Sequence, residues 1–147
     1  MITVRKASLA DLENLVPLFD AYRQFYKQAA DISGARTFLL ERLENAESEV
    51  FLAFDDEKIV GFTQLYPLFS SVGMKRSWLL NDLYVEAAAR KKGVGERLLE
   101  AAKAWGRETG AGWLMLETAE DNYPAQALYE KNGWERIKEE VFYRVDL

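Results

Sequence analysis

The chain of 147 residues contains no cysteine and no histidine. The first absence excludes disulfides, thiolate metal sites and a cysteinyl acyl-enzyme; the second removes the commonest general base and metal ligand. No metal site is therefore expected, and any catalysis falls to Asp, Glu, Lys, Tyr, Ser, Thr, backbone groups or water. Long apolar runs are also missing: none approaches the ~20 residues that cross a bilayer. The opening MITVRKASLADLE has no signal-peptide core, so the expectation is a cytoplasmic protein without a membrane partner. A net charge of -5 lacks the basic excess of a phosphate-backbone binder, which argues against nucleic acid and mildly favours cationic substrates. What is present is 49% hydrophobic and 13% aromatic residues, enough for one domain over residues 1–147 with a substantial core.

The hydropathy pattern changes period along the chain. Residues 2–6 alternate as a strand, and Ser8 with Asp11 caps a helix expected over about 9–27. Residues 31–34 break the pattern and 35–46 resume helical spacing. Residues 49–54 and 59–69 are β-rich runs joined at Asp55-Asp56-Glu57-Lys58, a hairpin, and a further strand spans 77–86. An amphipathic helix over 94–109 buries Leu98, Leu99, Ala102 and Trp105. A short buried strand at 113–118, a short helix at 124–132 stopped by Gly133, and two closing strands in 134–145 complete the reading. The expected architecture is mixed α/β (α+β), with about seven strands in a mixed sheet flanked by about four helices. No repeat, linker or low-complexity segment interrupts it.

Arg90-Lys91-Lys92-Gly93-Val94-Gly95-Glu96-Arg97 joins a strand end to a helix start. Unpaired N–H groups and the positive end of the helix dipole converge there, the two glycines allow close backbone approach, and three basic side chains add charge, all of which suit a phosphate. The dinucleotide fingerprint fails because Leu98 stands where its third glycine belongs, and the nucleoside-triphosphate loop fails because Gly95-Glu96-Arg97 replaces Gly-Lys-Ser/Thr. A glycine turn on a solvated basic corner is the plain structural alternative.

Arg90-x-x-Gly93-x-Gly95, preceded by Leu80-Asn81-Asp82-Leu83-Tyr84-Val85 and followed by Asn122-x-x-Ala125-x-x-Leu128-Tyr129-Glu130-Lys131-Asn132-Gly133-Trp134, resembles the GNAT superfamily of N-acetyltransferases over essentially the whole chain. The resemblance implies acetyl-coenzyme A as co-substrate, with its pyrophosphate on the backbone of Lys91, Lys92, Gly93, Val94, Gly95 and Glu96 beside Arg90. It implies that Leu83, Tyr84 and Val85 pair with the pantetheine arm and polarise the thioester carbonyl. Asn122, near Ala125, would bind pantetheine or cap the following helix, and both roles are compatible. Tyr129 would stand near the sulfur as a proton donor, or pack as a helix tyrosine under the sheet. Many members carry Pro and Gly where this chain has Ala87 and Lys91, without loss of a required amide.

Amine chemistry adds one demand. An ammonium of pKa ~10.4 is neutral about once in several thousand molecules at pH 7, so a proton must be taken. Polyamine-acetylating relatives often carry Glu before the strand's Asp; here Asn81 cannot act as a base, so it orients water or substrate while Asp82 or Glu117 assists deprotonation, strand-end hydrogen bonding being the alternative for each. Transfer is then direct, through a ternary complex. The aromatic first helix, with Tyr22, Arg23 and Tyr26, either lines the amine site or belongs to the core; Arg23 in the cleft would favour an amino acid, acidic residues a polyamine or lysine. These segments are most similar to a histone, polyamine and amino-acid subgroup. The expected function is acetylation of a small-molecule primary amine, with a protein lysine or N-terminal acetyltransferase, or an idle acyl-coenzyme A sensor, as alternatives. The apolar segment Val141-Phe142-Tyr143-Arg144-Val145 leads to an expected homodimer.

Overall fold

Strand β1 (Ile2–Lys6) runs into a 3-10 turn at Leu9–Asp11 and then helix α1 (Leu12–Phe25), followed by α2 (Ile32–Glu44), in a computed structural model that describes residues 1–147. The Asp11 carboxylate shapes this entry: it accepts from the Ser8 N–H at 2.8 Å and from both terminal nitrogens of Arg5 at 2.9 and 2.8 Å. Both helices stop two residues earlier than periodicity predicts. Lys27 and Ala46 take left-handed conformations (φ 65° and 50°), and the following N–H groups fold back to Arg23 and Arg42 carbonyls. Asp31 starts α2 by accepting from the Gly34 N–H at 2.9 Å, which moves its start three residues ahead of the expected one.

Strands β2 (Glu49–Asp55), β3 (Lys58–Ser70) and β4 (Lys75–Val85) form an antiparallel meander, and the chain then crosses through α3 (Val94–Glu108) to the two-residue strand β5 (Leu114–Met115), parallel to β4. The sheet order is β1-β2-β3-β4-β5. Alternation decides the layers. Val50, Leu52 and Phe62 join Leu15, Phe19 and Leu39 of α1 and α2 in one core cluster. Their neighbour Gly61 instead faces Val94 and Leu98 of α3, on the other side of the sheet. A Cβ on Gly61 would lie 2.9 Å from the Tyr84 carbonyl oxygen, so its missing side chain is what lets α3 begin against the end of β4.

These elements lie in the first of two compact units, Met1–Glu117; the second is Thr118–Leu147. The latter holds α4 (Tyr123–Lys131), capped by the Asn122 side chain, which accepts from the Ala125 N–H at 3.3 Å. The sheet has five strands, not seven, because residues 134–147 form none. β-Rich composition needs an edge to pair with, and the second unit contains no strand to provide one. No helix is long and apolar enough to cross a membrane.

Candidate active site

The β3–β4 ladder carries an irregularity at its centre. Gln64 pairs with Asp82 and Leu65 with Leu80, leaving Asn81 as the extra residue of a β-bulge. In a regular strand consecutive side chains point to opposite faces. Here the bulge lets the Asn81 amide reach back to its neighbour, donating from Nδ2 to Asp82 Oδ1 at 2.9 Å. The Tyr22 hydroxyl, from α1, donates to the same oxygen at 2.9 Å, and Gln64 Nε2 donates to Oδ2 at 2.5 Å. Ser48 Oγ donates to Gln64 Oε1 at 2.7 Å, and Thr63 Oγ1 donates to the Asp82 carbonyl at 2.8 Å. Asp82 is only 4% exposed. Burial raises the proton affinity of its carboxylate, and the three donors from Gln64, Asn81 and Tyr22 oppose that rise without cancelling it. Burial and the Asp82 charge also raise the Tyr22 phenol, and push Tyr66 up to about 12.

β4 pairs with β5 only through Trp78 and Leu79. Beyond them, Leu80 to Val85 have no strand partner on that side within the first unit, so the backbone groups of Leu83 and Val85 that point away from β3 form an edge without a strand partner there, the Val85 carbonyl being taken up by Arg90. That edge leads into the basic loop. Lys91 and Gly93 have φ of 65° and 78° with Lys92 between them outside the left-handed region, an alternation that turns successive N–H groups toward one side. Val94 and Gly95 open α3, and the first N–H groups of a helix have no carbonyl of an earlier turn to meet. Lys91 and Lys92 are exposed, and nothing stands within 4 Å of where a Gly93 Cβ would be. Arg90 is held differently: Nε donates to the Val85 carbonyl at 2.9 Å, and its guanidinium lies over the rings of Phe25 and Tyr84 at 5.3 and 5.7 Å. A strand edge that β5 leaves unpaired, followed by a helix start with space at the Gly93 Cβ position, fits an extended ligand arm carrying a pyrophosphate.

The aromatic end of α1 is both core and rim. Tyr22 packs edge-on against Phe62, Tyr84 and Tyr26, while Phe25 and Tyr26 are more than half exposed. Arg23 does not join Asp82; it pairs with buried Asp20 at 3.0 Å and donates to the Ala29 carbonyl at 3.1 Å. It lines an open depression of about 360 Å³ between α1 and α2 with Phe19, Asp31 and Phe38. Glu117 is exposed beyond β5 and makes no hydrogen bond to the Asp82 network. In the second unit, Asn122 caps α4 and Tyr129 is half-buried, its ring 6.2 Å from that of Trp134.

The sequence model of the Acetyltransferase (GNAT) family matches residues 15–134. The chain belongs to that family. It is 49% identical over 142 residues to YhfO, an uncharacterized N-acetyltransferase of Bacillus subtilis (strain 168), covering 97% of this chain and 95% of that one. It is 31% identical over 113 residues to an aminoglycoside N(6')-acetyltransferase type 1 of Stenotrophomonas maltophilia, covering 74% of each chain. The crystal structure of a probable acetyltransferase superimposes with a TM-score of 0.94 at 41% identity, covering 99% of this chain and 97% of that one. The protein is thus an acyltransferase with the α/β fold of GNAT enzymes.

Within that frame, sequence reasoning located Asn81, Asp82 and Tyr22 but not their joining. It missed Gln64, Ser48, Thr63 and Gly61. The one available signal was Gln64 itself, an amide inside the apolar run Val60-Gly61-Phe62-Thr63-Gln64-Leu65, where a polar group must find a partner.

Proposed function

We propose that this GNAT protein uses acetyl-coenzyme A to acetylate the primary amine of a small molecule such as a polyamine or amino acid, by direct transfer. The observation that carries this is the six-residue stretch Leu80 to Val85, which combines a strand edge that β5 leaves unpaired with a buried carboxylate at its bulge. When bound, acetyl-coenzyme A supplies an acetyl group already activated as a thioester. The loop amides of residues 91–96 would hold its pyrophosphate, and the β4 edge at Leu83, Tyr84 and Val85 its pantetheine arm, with an N–H there drawing charge onto the acetyl oxygen. Asp82 is the proton acceptor: burial makes it a stronger base than an ordinary carboxylate, which the ammonium substrate requires. Asn81 and Tyr22 orient it. Tyr129 is assigned as proton donor to the departing sulfur, supported by its place in the segment that runs from Asn122 to Trp134. A small acceptor is supported by the likeness to an enzyme named for aminoglycosides, which are themselves amines of low mass. The exposed side chains of Val141, Phe142, Tyr143 and Val145 support a homodimer.

A thiol-release assay over polyamines, L- and D-amino acids, aminoglycosides and basic peptides tests the reading. Turnover with one small-amine class is expected. Turnover with peptides alone would point to a protein acetyltransferase, and acetyl-coenzyme A binding without any turnover to a sensor.

A further inference from the structure

The Asp82 carboxylate is enclosed by its own donors. Oδ1 receives Tyr22 and Asn81, Oδ2 receives Gln64, and the residue is 4% exposed, so three of about four lone-pair positions are occupied from inside the protein. Tyr22 is half-buried, and its phenol oxygen, having given its hydrogen to Asp82, keeps lone pairs able to accept an N–H. The Gln64 amide has one permitted orientation. Because Ser48 Oγ donates to Oε1, Nε2 must face Asp82, where it closes the second oxygen.

We propose that Tyr22 and Asp82 form a proton relay in which the Tyr22 hydroxyl, not the Asp82 carboxylate, meets the substrate amine, with Gln64 and Ser48 as positioning residues that keep the carboxylate turned toward Tyr22. This rests on the reading of the protein as an amine acetyltransferase. The ammonium gives one proton to the Tyr22 oxygen while the hydrogen already there passes to Asp82 Oδ1, so Tyr22 begins and ends as a phenol. The freed nitrogen lone pair forms the N–C bond to the acetyl carbon, and the C–S bond breaks with its electron pair on sulfur. Of the three ammonium hydrogens, one replaces the hydrogen that Tyr22 passes to Asp82, one is released from nitrogen and balances the proton taken up by the leaving sulfur, and one stays on the amide nitrogen; Asp82 then returns its proton to solvent. Burial disfavours a free phenolate at Tyr22 and raises the basicity of Asp82, and both effects favour a coupled transfer over a stepwise one. The other groups facing this pair are Tyr26 from α1 and Tyr66 from β3, with Arg42 of α2 acting on Tyr66.

The relay predicts two things that a packing role for these residues does not. First, with aspartate carboxyls labelled with carbon-13, the Asp82 titration midpoint in the full chain should rise by about one to two pH units in Tyr22→Phe and in Gln64→Leu, because each loses a hydrogen bond to the charged form. Ser48→Ala should move it the same way and Ser48→Thr restore it. Second, Tyr22→Phe and Asp82→Asn should each lower kcat by ~10²-fold or more, and the double variant should be no worse than the poorer single one. The acid limb of the kcat/KM profile should move up in Gln64→Leu by the same interval as the carboxyl signal. An Asp82 midpoint unmoved in both variants, a Tyr22→Phe rate within threefold of wild type at unchanged acetyl-coenzyme A affinity, or additive losses in the double variant would each overturn the relay while leaving the acetyltransferase reading intact. A wild-type chain inert on every amine would overturn both.

Discussion

Gly61→Ala is the smallest change that tests how α3 is seated over the site. The added Cβ would lie 2.9 Å from the Tyr84 carbonyl oxygen, 3.3 Å from Val94 Cγ1 and 3.4 Å from Leu98 Cδ1. The two aliphatic contacts can relax by small rotations. The carbonyl cannot, because it belongs to the backbone of β4, so β3 and β4 must separate or the carbonyl must tilt by about half an ångström. Overpacking of this kind costs about 1–3 kcal/mol, while the loss of glycine freedom in the unfolded chain returns about 0.4–1 kcal/mol. The net is a destabilisation of about 1–2 kcal/mol, or a melting temperature lower by about 2–8 °C for a chain of this length. Val94 is the first residue of α3, so the same displacement moves the helix N-terminus, and acetyl-coenzyme A affinity should fall several-fold. Thermal unfolding followed by circular dichroism and a calorimetric titration read the two effects separately. Gly61→Ala melting at or above the wild-type temperature would refute the account of Gly61 as the contact that seats α3.

Gly93→Asp should weaken acetyl-coenzyme A binding by well over tenfold, since a carboxylate would meet the pyrophosphate, whereas Gly93→Ala, with nothing within 4 Å of its Cβ, should lose only about 1 kcal/mol of stability through its φ of 78°; equal affinities in the two variants would dismiss the phosphate site. Tyr129→Phe should leave cofactor affinity unchanged and lower turnover by ~10²-fold, with a drop of only a few-fold showing that solvent supplies the proton. The Asp11 carboxyl is held down to about 2, chiefly by Arg5, from an ordinary 3.8, so its stabilisation is complete above about pH 4 and lost as pH falls through about 2. Asp11→Asn should therefore be less stable than wild type by about 1–2 kcal/mol at pH 7 in urea titrations, and the gap should close by about pH 2; a gap independent of pH would mean packing, not charge, is at stake. Light scattering at micromolar concentration should give twice the monomer mass, and a monomer would remove the role proposed for the 141–145 segment.

What the sequence makes legible is what its near neighbours decide. The α3 stripe of Leu98, Leu99 and Ala102 is fully buried as its period requires, and the first hairpin of the meander turns within Asp55 to Lys58, where its sequence places it. Helix ends were less legible, because Lys27 and Ala46 adopt left-handed geometry that favours glycine, and only the return hydrogen bonds to Arg23 and Arg42 explain it. The two closing strands failed for a related reason. Val141, Phe142, Tyr143 and Val145 have strand-forming side chains, but a strand exists only where another backbone accepts its hydrogen bonds.

The site divides along the same line. The Arg90 to Glu96 turn is contiguous, so its glycines, charges and helix start could be read together. The Asp82 network is assembled across distance: Tyr22 lies 60 residues from Asp82, Gln64 18 residues from it, and Ser48 16 residues from Gln64. Asn81 is the exception that joins the two kinds of information. Its neighbour relation to Asp82 is visible in sequence, yet ordinary strand alternation would have put the two side chains on opposite faces, and only the bulge between the Gln64 and Leu65 pairings brings amide and carboxylate together. The bulge lies within the part of β4 that has no strand partner on the side away from β3, so the buried carboxylate and that edge occupy the same six residues. That coincidence follows from the geometry of one strand: the extra residue that brings amide and carboxylate together lies beside backbone that β5 leaves unpaired, so the proposed proton acceptor and the proposed thioester site come from neighbouring residues.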